Sequence, residues 1–429
     1  MKTWVAVALL FGAAAAVAEP PAPEDISKKL EATLLARFQE TDRPRTDYAV
    51  LLASRYRHAK KERAAGRDVT QELAAILARC EDRAAARARP LEKVDWKDVP
   101  PLTDGGDLRG LARALAQAAG ETGGGSVAFG TGHVRGPDLA RGAKRLRALV
   151  ESGADAAALD RAVRKEFDVY RSPGTFGTGE VLFTSYASPV YTGSLKRSEK
   201  YRYPIFRSPS SRGLSGKVSR KEIYAGALDG HGLEIAWFAD RMDEYQIQIE
   251  GSGFVRLAEG GFLHITYAGA NGRDYQSLGK AMVKDGLFRP WEIDNLAVRK
   301  YFREHPEAEQ GYLERNPSFV YFDSRRINEM PEMPGLTGER SVAADRTVFA
   351  RGQVGFVDTR APEYSTDGEL TGWHPWRRFI VAQDVGGAIK TAGRMDLYQG
   401  QGEEAQLLAD TMKEPGALYL LVPHGSQVK

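Results

Sequence analysis

The chain has little cysteine and histidine for its length, and these two shortages argue against disulfides and metal sites. Cys80 is the only cysteine among 429 residues, so no intramolecular disulfide is available and stability must come from packing. Cys80 continues the stripe Leu73, Ile76 and Leu77, which has helical spacing and predicts a buried thiol rather than a nucleophile. The seven histidines are scattered singly, without paired His or Cys spacing. No metal site and no cofactor are therefore predicted.

An excess of charge of one sign is also missing. Sixty Lys and Arg stand against 57 Asp and Glu, which argues against a nucleic acid partner. Residues 400–405 match the G-x-G-x-x-A dinucleotide pattern, but only 24 residues follow, too few for the binding unit. A tight turn that opens a short helix is predicted there instead. The sequence around Ser252 lacks the G-x-S-x-G pattern of a serine hydrolase.

Long hydrophobic runs are absent except at the N-terminus. The run from Trp4 to Val17 follows Lys2 and ends in a small-residue cleavage pattern before Glu19, which predicts a secretory signal peptide over residues 1–18. No cysteine follows the run, so no lipid anchor is expected. The mature chain is predicted to be an exported, soluble periplasmic protein without a transmembrane segment. Association with the outer membrane or the cell wall stays open.

The pattern of apolar residues changes along the chain from helical to strand-like. Residues 24–92 and 138–167 predict amphipathic helices, with a glycine-rich joint over 120–137 between them. EYQIQIEGSG alternates strictly and predicts a strand, while PWEIDNLAVRKYFREH predicts a helix opened by Pro290. VGFVDT, RRFIVAQD and ALYLLVP predict strands that are apolar on both faces, which is typical of a barrel or sandwich interior.

Two carboxylates near the C-terminus are the remaining candidates for chemistry. In AQDVGGAIKTAGRMDLYQG, residues 382–400, Asp384 and Asp396 flank a glycine-rich loop without any other acid between them. Aspartates at strand ends are usually turn or cap residues, and spacing leaves that interpretation open. Asp396, however, lies between Met395 and Leu397, and an apolar setting with a second carboxylate nearby can raise a pKa enough for acid catalysis.

The same stretch resembles the C-terminal signature of the lytic murein transglycosylase A (MltA) family with its three-aspartate domain. VLFTSYASPV, RYPIFRSP, SRKEIYAGAL, IEGSGFVRL, TYAGANGRDYQSLGK, NPSFVYF and GERSVAADRT match in the same order, over roughly residues 137–423. The resemblance implies a mainly β fold with an α-helical N-terminal extension over 19–136. Residues 137–188 and 326–429 would form a double-psi β-barrel, and residues 189–325 a smaller inserted β-rich domain that completes a substrate groove.

The resemblance also implies an activity. The family cleaves the β-1,4 bond between N-acetylmuramic acid and N-acetylglucosamine without water and leaves a 1,6-anhydromuramic end. Its single acid/base matches Asp396, and Asp384 and Asp345 match supporting carboxylates. Since the attacking group is the sugar's own tethered C6 hydroxyl, one carboxyl suffices. The residues expected to bind substrate are Thr184, Tyr186, Glu250, Gly251, Ser252, Gly253, Tyr267, Asn271 and Ser277.

Some motif positions depart from the family. Glu250 stands where the family usually has Gln, Thr391 where it usually has Gly, and Ala187-Ser188 precede Pro189; these changes concern subsite preference. Two rival functions stay open: a non-catalytic peptidoglycan-binding protein, and a hydrolase in which Glu250 or Asp384 activates water. Peptidoglycan strands are the expected partner. The N-terminal helices could bind a wall-synthesis or outer-membrane protein, dock to the membrane or regulate access.

Overall fold

The N-terminal part of the protein is a bundle of three helices. The structure, a computed structural model, describes residues 22–81, 90–121, 126–129, 132–329, 333, 335–365 and 370–426, so the predicted signal peptide lies outside it. The helices are α1 (Pro23–Phe38), α2 (Arg43–Ala64) and α3 (Thr70–Glu81). Their apolar sides form one core that also takes in Leu182 and Trp291 from later in the chain. Cys80 is buried in this core, as its stripe predicted.

The other helices lie between or after the strands. They are α4 (Leu108–Glu121), α5 (Gly136–Glu151), α6 (Ala156–Glu166), α7 (Arg220–Tyr224), α8 (Arg241–Glu250), α9 (Leu278–Lys284), α10 (Asn295–Glu304), α11 (Pro306–Leu313) and α12 (Glu403–Thr411). The short helix α12 follows Gly402, which confirms the predicted turn and helix. In the part of the chain that the structure describes, no helix is both long and apolar enough to span a bilayer.

Within the residues that the structure describes, the strands form two large sheets and one hairpin. In chain order they are β1 (Glu92–Lys93), β2 (Ser126–Phe129), β3 (Gly132–Arg135), β4 (Phe167–Arg171), β5 (Val181–Ser188), β6 (Val190–Ser194), β7 (Tyr203–Phe206), β8 (Glu234–Phe238), β9 (Gly253–Leu257), β10 (Phe262–Ala270), β11 (Val320–Ile327), β12 (Ser341–Ala343), β13 (Gln353–Tyr364), β14 (Leu370–Asp384), β15 (Arg394–Gln401) and β16 (Lys413–Pro423). The hairpin β2–β3 lies within the predicted glycine-rich joint.

Six strands close into a barrel in the order β16, β13, β14, β12, β15 and β5. The ring closes because β5 pairs with β15 on one side and with β16 on the other. Alternate residues such as Phe183, Met395 and Leu418 fill its interior and are fully buried. The helices α4 and α5 cover the outside of β13, β14 and β16. The predicted barrel is therefore confirmed, and so are the strands predicted over its apolar runs.

The second sheet is an insertion between barrel strands β5 and β12. Its order is β11, β10, β9, β6, β8 and β7, and its core includes Ile205, Phe238, Val255 and Ile265. The helices α7 to α11 belong to the same stretch of chain. This arrangement confirms the smaller inserted β-rich unit.

Two secondary-structure predictions inside the insertion are wrong. EYQIQIEGSG forms the end of helix α8 rather than a strand, because Asp240 caps the first turn through the backbone N–H of Met242 and Gly251 ends the helix at a φ of 77°. Pro290 does not open a helix. Helix α10 begins at Asn295, after Asp294 accepts a hydrogen bond from the backbone of Ala297.

Candidate active site

A groove of about 790 Å³ lies between the barrel and the inserted sheet. One wall is formed by the ends of β5, β14 and β15 with the loop that follows Asp384. The other wall is formed by the end of α8 and by β9 and β10. Of the residues predicted from the sequence, the groove brings together Tyr186, Glu250, Ser252, Gly253, Asp384 and Asp396.

Asp396 lies half-buried on the barrel wall of this groove. It stands on β15 directly opposite Thr184 of β5, since the two strands run parallel with these residues in register. The Thr184 hydroxyl donates to Asp396 Oδ1 over 2.5 Å. Arg394 comes two residues earlier and therefore shares the outer face of the strand, and its Nη2 donates to the same Thr184 oxygen over 3.0 Å. The neighbours Met395 and Leu397 point into the barrel, where both are buried.

Asp384 lies on the same wall but has a different set of partners. Asp384 and Asp396 pair with the same residue of β12, Ala343, from opposite sides. Their backbones are thus two strand spacings apart, about 10 Å. The Tyr186 hydroxyl donates to Asp384 Oδ2 over 2.5 Å, and the backbone N–H of Val385 donates to Oδ1 over 2.8 Å. Both oxygens of Asp384 therefore act as acceptors.

Tyr186 connects the two aspartates electrostatically. Burial of its hydroxyl raises the pKa of Tyr186 far above its ordinary value, and the nearby carboxylates of Asp384 and Asp396 raise it further. The phenol therefore stays protonated and acts as a donor throughout the physiological pH range. Its ring contacts the ring of Tyr398 at 5.2 Å between centroids, and both residues line the groove.

Asp345 holds the loop that follows Asp384 rather than the groove itself. It is 7% exposed and follows β12. Its Oδ1 accepts from the backbone and hydroxyl of Thr347, and its Oδ2 accepts from the backbone N–H of Thr391 over 2.8 Å. Burial alone would raise the pKa of Asp345, but these hydrogen bonds, with the Lys390 charge, hold it below its ordinary value. Asp345 thus fixes Thr391, whose φ of 70° is unusual for a residue other than glycine.

Glu250 faces the groove from the inserted unit. It ends helix α8, and the turn Gly251-Ser252-Gly253 follows it into β9. Tyr191 donates to Glu250 Oε2 over 2.9 Å. Desolvation between the two walls raises the pKa of Glu250 to about 8. More than a third of the residue remains exposed, so water in the open groove reduces this shift.

The other residues predicted to bind substrate lie outside the lining of the groove. Thr184 stands behind Asp396. Tyr267 is 60% exposed on β10, away from the groove lining. Asn271 is buried, and its side chain bonds to the backbones of Val218, Pro317, Arg273 and Phe319. Ser277 caps α9 through the backbone of Lys280. The polar groups of Asn271 and Ser277 are therefore used within the inserted unit.

The structure adds residues to the site that the sequence did not single out. Arg346 lines the groove and donates to the backbone oxygens of Ala382 and Asp384; its place next to Asp345 in a matched motif was an available signal. His264 lines the opposite wall, stacked on Phe254 with centroids 4.9 Å apart. Burial lowers the pKa of His264, so its ring is neutral at neutral pH. The alternation of residues along β10 could have predicted which face of the sheet the His264 ring occupies, but not that the ring stacks on Phe254.

The groove combines one half-buried carboxyl that has a hydroxyl donor with a second carboxyl that accepts a donor at each oxygen. Such a site can transfer a proton at one point and stabilise developing positive charge at another. Among the residues that the structure describes, no three His, Cys, Asp or Glu side chains cluster as a metal site would require.

Comparisons with known proteins give a consistent picture. Residues 182–323 match the family model described as the MltA specific insert domain, and residues 340–422 match the 3D domain. The membrane-bound lytic murein transglycosylase A of Escherichia coli K12 is 35% identical over 259 residues, which cover 59% of this chain and 69% of that protein. The protein of the same name from Vibrio cholerae is 34% identical over 57% of this chain and 66% of its own length.

Solved structures match a larger part of the chain. The crystal structure of E. coli MltA with bound chitohexaose superposes with a TM-score of 0.61 at 27% identity, over 80% of this chain and 96% of that one. The lytic transglycosylase LtgG of Burkholderia pseudomallei superposes with a TM-score of 0.56 at 28% identity, over 79% of this chain and 97% of its own.

Proposed function

This chain belongs to the lytic murein transglycosylase A family and is an enzyme of that type, and we propose that Asp396 is its single acid/base. The observation that carries the proposal is the place of Asp396, a half-buried carboxyl that lines the groove and accepts a hydrogen bond from the Thr184 hydroxyl. The second groove aspartate, Asp384, accepts a donor at each of its two oxygens, which orients it as an acceptor.

In the proposed reaction, neutral Asp396 donates its proton to the glycosidic oxygen between N-acetylmuramic acid and N-acetylglucosamine. The bond from that oxygen to the anomeric carbon breaks, and positive charge develops on the muramic ring. The C6 hydroxyl oxygen of the same ring then bonds to the anomeric carbon. Asp396, now ionised, accepts the proton of that hydroxyl. No water is consumed, the product ends in 1,6-anhydromuramic acid, and Asp396 regains its proton.

The remaining groove residues take supporting roles in this proposal. Asp384, held by Tyr186 and Val385, stabilises the positive charge of the transition state from two strand spacings away. Ser252, Gly253 and the stacked pair of His264 and Phe254 form the wall against which the sugar rings would lie. The E. coli MltA structure holds bound chitohexaose, which supports glycan binding by this chain.

We extend the proposal to location and domain division. The substrate is cell-wall peptidoglycan, so export to the periplasm follows from the activity, in line with the name "membrane-bound" carried by the E. coli relative. Residues 137–188 and 326–429 would be the catalytic unit and 189–325 the inserted unit. The end of β5 at Ser188 and the start of β6 at Val190 support the first boundary, whereas β11 of the inserted sheet continues to Ile327, two residues beyond the second.

A hydrolase remains the second candidate because Glu250 shares the groove with Asp396. In that case Glu250 or Asp384 would activate water, and two carboxylates would be needed.

The direct test is Asp396→Asn, which keeps the shape of the side chain and removes the proton. Solubilisation of isolated murein sacculi should fall by about 10²-fold or more, because general acid–base catalysis contributes that much. Binding of chitohexaose and the melting temperature should stay unchanged. Asp384→Asn should lower the rate less. A folded Asp396→Asn protein with near wild-type turnover would refute the assignment, and equal, complete loss in both variants would favour the hydrolase.

A further inference from the structure

A chain of hydrogen bonds runs from the N-terminal helices to Asp396. Asp47 is the fifth residue of α2, and its Oδ1 accepts from Arg394 Nη1 over 2.7 Å. Arg394 Nη2 donates to the Thr184 hydroxyl oxygen over 3.0 Å. The Thr184 hydroxyl in turn donates to Asp396 Oδ1 over 2.5 Å. We call Asp47, Arg394 and Thr184 the positioning chain.

The charges of the three groups set the direction of the last hydrogen bond. A guanidinium only donates, and an ionised carboxylate only accepts. The Thr184 oxygen therefore accepts from Arg394, while the Thr184 hydroxyl donates to Oδ1 of ionised Asp396. The positioning chain thus fixes the position of Asp396 Oδ1 on the groove wall.

Burial makes Asp47 necessary for this arrangement. The side chains of Arg394 and Asp47 are 10% and 5% exposed, so the guanidinium has little access to water. A buried charge that loses its partner moves or recruits another partner, because the uncompensated ion is costly. Lys413, which pairs with Thr184 from the other side of β5, is engaged elsewhere: its ammonium donates to the backbone oxygen of Ile293. Without Asp47, the Arg394 guanidinium would pair with the Asp396 carboxylate.

The outer face of the barrel explains how a distant helix reaches the site. Leu182 and Thr184 lie on the same face of β5, and Arg394 and Asp396 lie on the same face of β15, opposite them. Helix α2 covers the Leu182 end of this face. The Thr184 hydroxyl then bonds to Asp396 at the edge of the groove. Tyr48, next to Asp47, contacts the ring of Phe176 at 5.1 Å and helps to fix this turn of α2 against the barrel.

We propose that Asp47 is a positioning residue for catalysis, through which the N-terminal helices complete the active site from outside the barrel. The proposal rests on the proposed role of Asp396. It gives the helical bundle a function in the reaction: release of α2 from the barrel would free Arg394, disturb Asp396 and switch the enzyme off.

The test compares three variants by kcat and KM on soluble uncross-linked glycan strands and by melting temperature. Asp47→Asn should lower kcat roughly 10- to 100-fold, as small displacements of a catalytic group do, while KM stays unchanged. The matched control is Ser54→Ala. It removes another buried contact between α2 and the barrel, the 2.9 Å hydrogen bond to Glu414, and should lower the melting temperature while kcat keeps its wild-type value. Asp396→Asn reports on the catalytic assignment alone.

The outcomes separate the two proposals. If Asp47→Asn and Ser54→Ala have the same kcat while Asp396→Asn is inactive, Asp47 is a structural contact and the inference is wrong. If Asp396→Asn is active, the proposed function fails instead. Should Asp47→Asn fail to fold, Arg394→Lys decides, because an ammonium can pair with Asp47 but lacks the fork that also reaches Thr184. A folded Arg394→Lys protein with wild-type kcat would overturn the inference, and a lower kcat at unchanged KM would support it.

Discussion

The chemistry of the acidic residues at the groove and behind it depends on the balance between hydrogen-bond donors and desolvation. Asp384 accepts from Tyr186 and Val385, Asp345 accepts from Thr347 and Thr391, and Glu250 accepts from Tyr191 and Gln246. The signs of the resulting pKa shifts differ between the last two. Hydrogen bonds dominate at Asp345 and lower its pKa, whereas desolvation dominates at Glu250 and raises its pKa.

Glu250→Gln is predicted to raise stability in a way that depends on pH. The folded protein binds the Glu250 proton more tightly than the unfolded chain, because desolvation raises the pKa of Glu250 from an ordinary 4.5 towards about 8. As the pH rises through this interval, the unfolded chain ionises first, so the wild-type protein loses stability. Glutamine does not ionise. The difference in melting temperature between the variant and the wild-type protein should therefore be absent below pH 4.5 and grow towards pH 8.

Activity of the same variant separates the two candidate reactions. If Glu250 only contacts substrate, Glu250→Gln keeps its turnover, since the amide retains a carbonyl oxygen that can accept from Tyr191. Complete loss of turnover in a folded protein would instead point to a carboxylate that activates water. A melting-temperature difference that is constant across the pH range would show that Glu250 is not desolvated in the groove.

At the scale of elements, the loop between β14 and β15 carries one side of the groove and depends on Asp345. The loop spans Val385 to Gly393, and Thr391 adopts a φ of 70° within it. Gly386 supplies space, because a Cβ there would come within 2.7 Å of Ile389. The hydrogen bond from the Thr391 backbone to Asp345 ties the end of the loop to the second residue after β12.

Asp345→Asn is predicted to destabilise the protein at neutral pH by about 1–3 kcal/mol, because an amide presents a donor to one of the backbone N–H groups. The pKa of Asp345 is held below its ordinary 3.8 in the folded state, so the carboxylate contributes stability above that pH. This contribution is lost as the pH falls through the lower, folded-state value. Urea unfolding at neutral pH and in acid should show the difference shrinking on acidification.

Thr391→Gly is the matched control for that experiment. It keeps the backbone N–H that bonds to Asp345 and relieves the positive φ, so it should raise stability without changing the dependence on pH. A deficit in Asp345→Asn that stays equal at all pH values would mean that the carboxylate charge does not hold the loop.

The sequence predicted the barrel elements better than the helices of the insertion. Continuous apolar runs such as the one ending in Ala382 form strands buried on both faces, because a closed barrel with helices outside leaves little solvent contact. The alternation of Tyr245, Ile247 and Ile249 predicted a strand wrongly. The segment is a helix because Asp240 caps its first turn and Gly251, in the left-handed conformation, ends it.

The candidate site was predictable only in part, for a physical reason. Asp384, Asp396 and Tyr186 lie in matched motifs, and the groove brings them together. Arg394 shares the strand face of Asp396, so the two-residue period could have found it. Asp47 could not be found in this way, because 347 residues separate it from Arg394 and only the folded chain joins them.

At the scale of the whole molecule, the two walls of the groove are held together by contacts outside it. Lys280 of the insertion donates to the backbone oxygen of Glu40 between α1 and α2, over 2.6 Å. Asn295 donates to Asp410 of α12 over 2.9 Å, and Lys413 of β16 donates to Ile293. The N-terminal helices therefore contact both the barrel and the insertion, and the width of the groove depends on all three parts.

The central claim is that Asp396 cleaves the glycan without water, and the masses of the products test it most directly. Isolated sacculi would be digested with the purified protein, with Asp396→Asn as the inactive control, and the released muropeptides analysed by mass spectrometry. The mechanism predicts muropeptides that end in 1,6-anhydromuramic acid, each lighter by one water than the hydrolysis product and without a reducing end. Products that carry a reducing end and the mass of the hydrolysis product would contradict it.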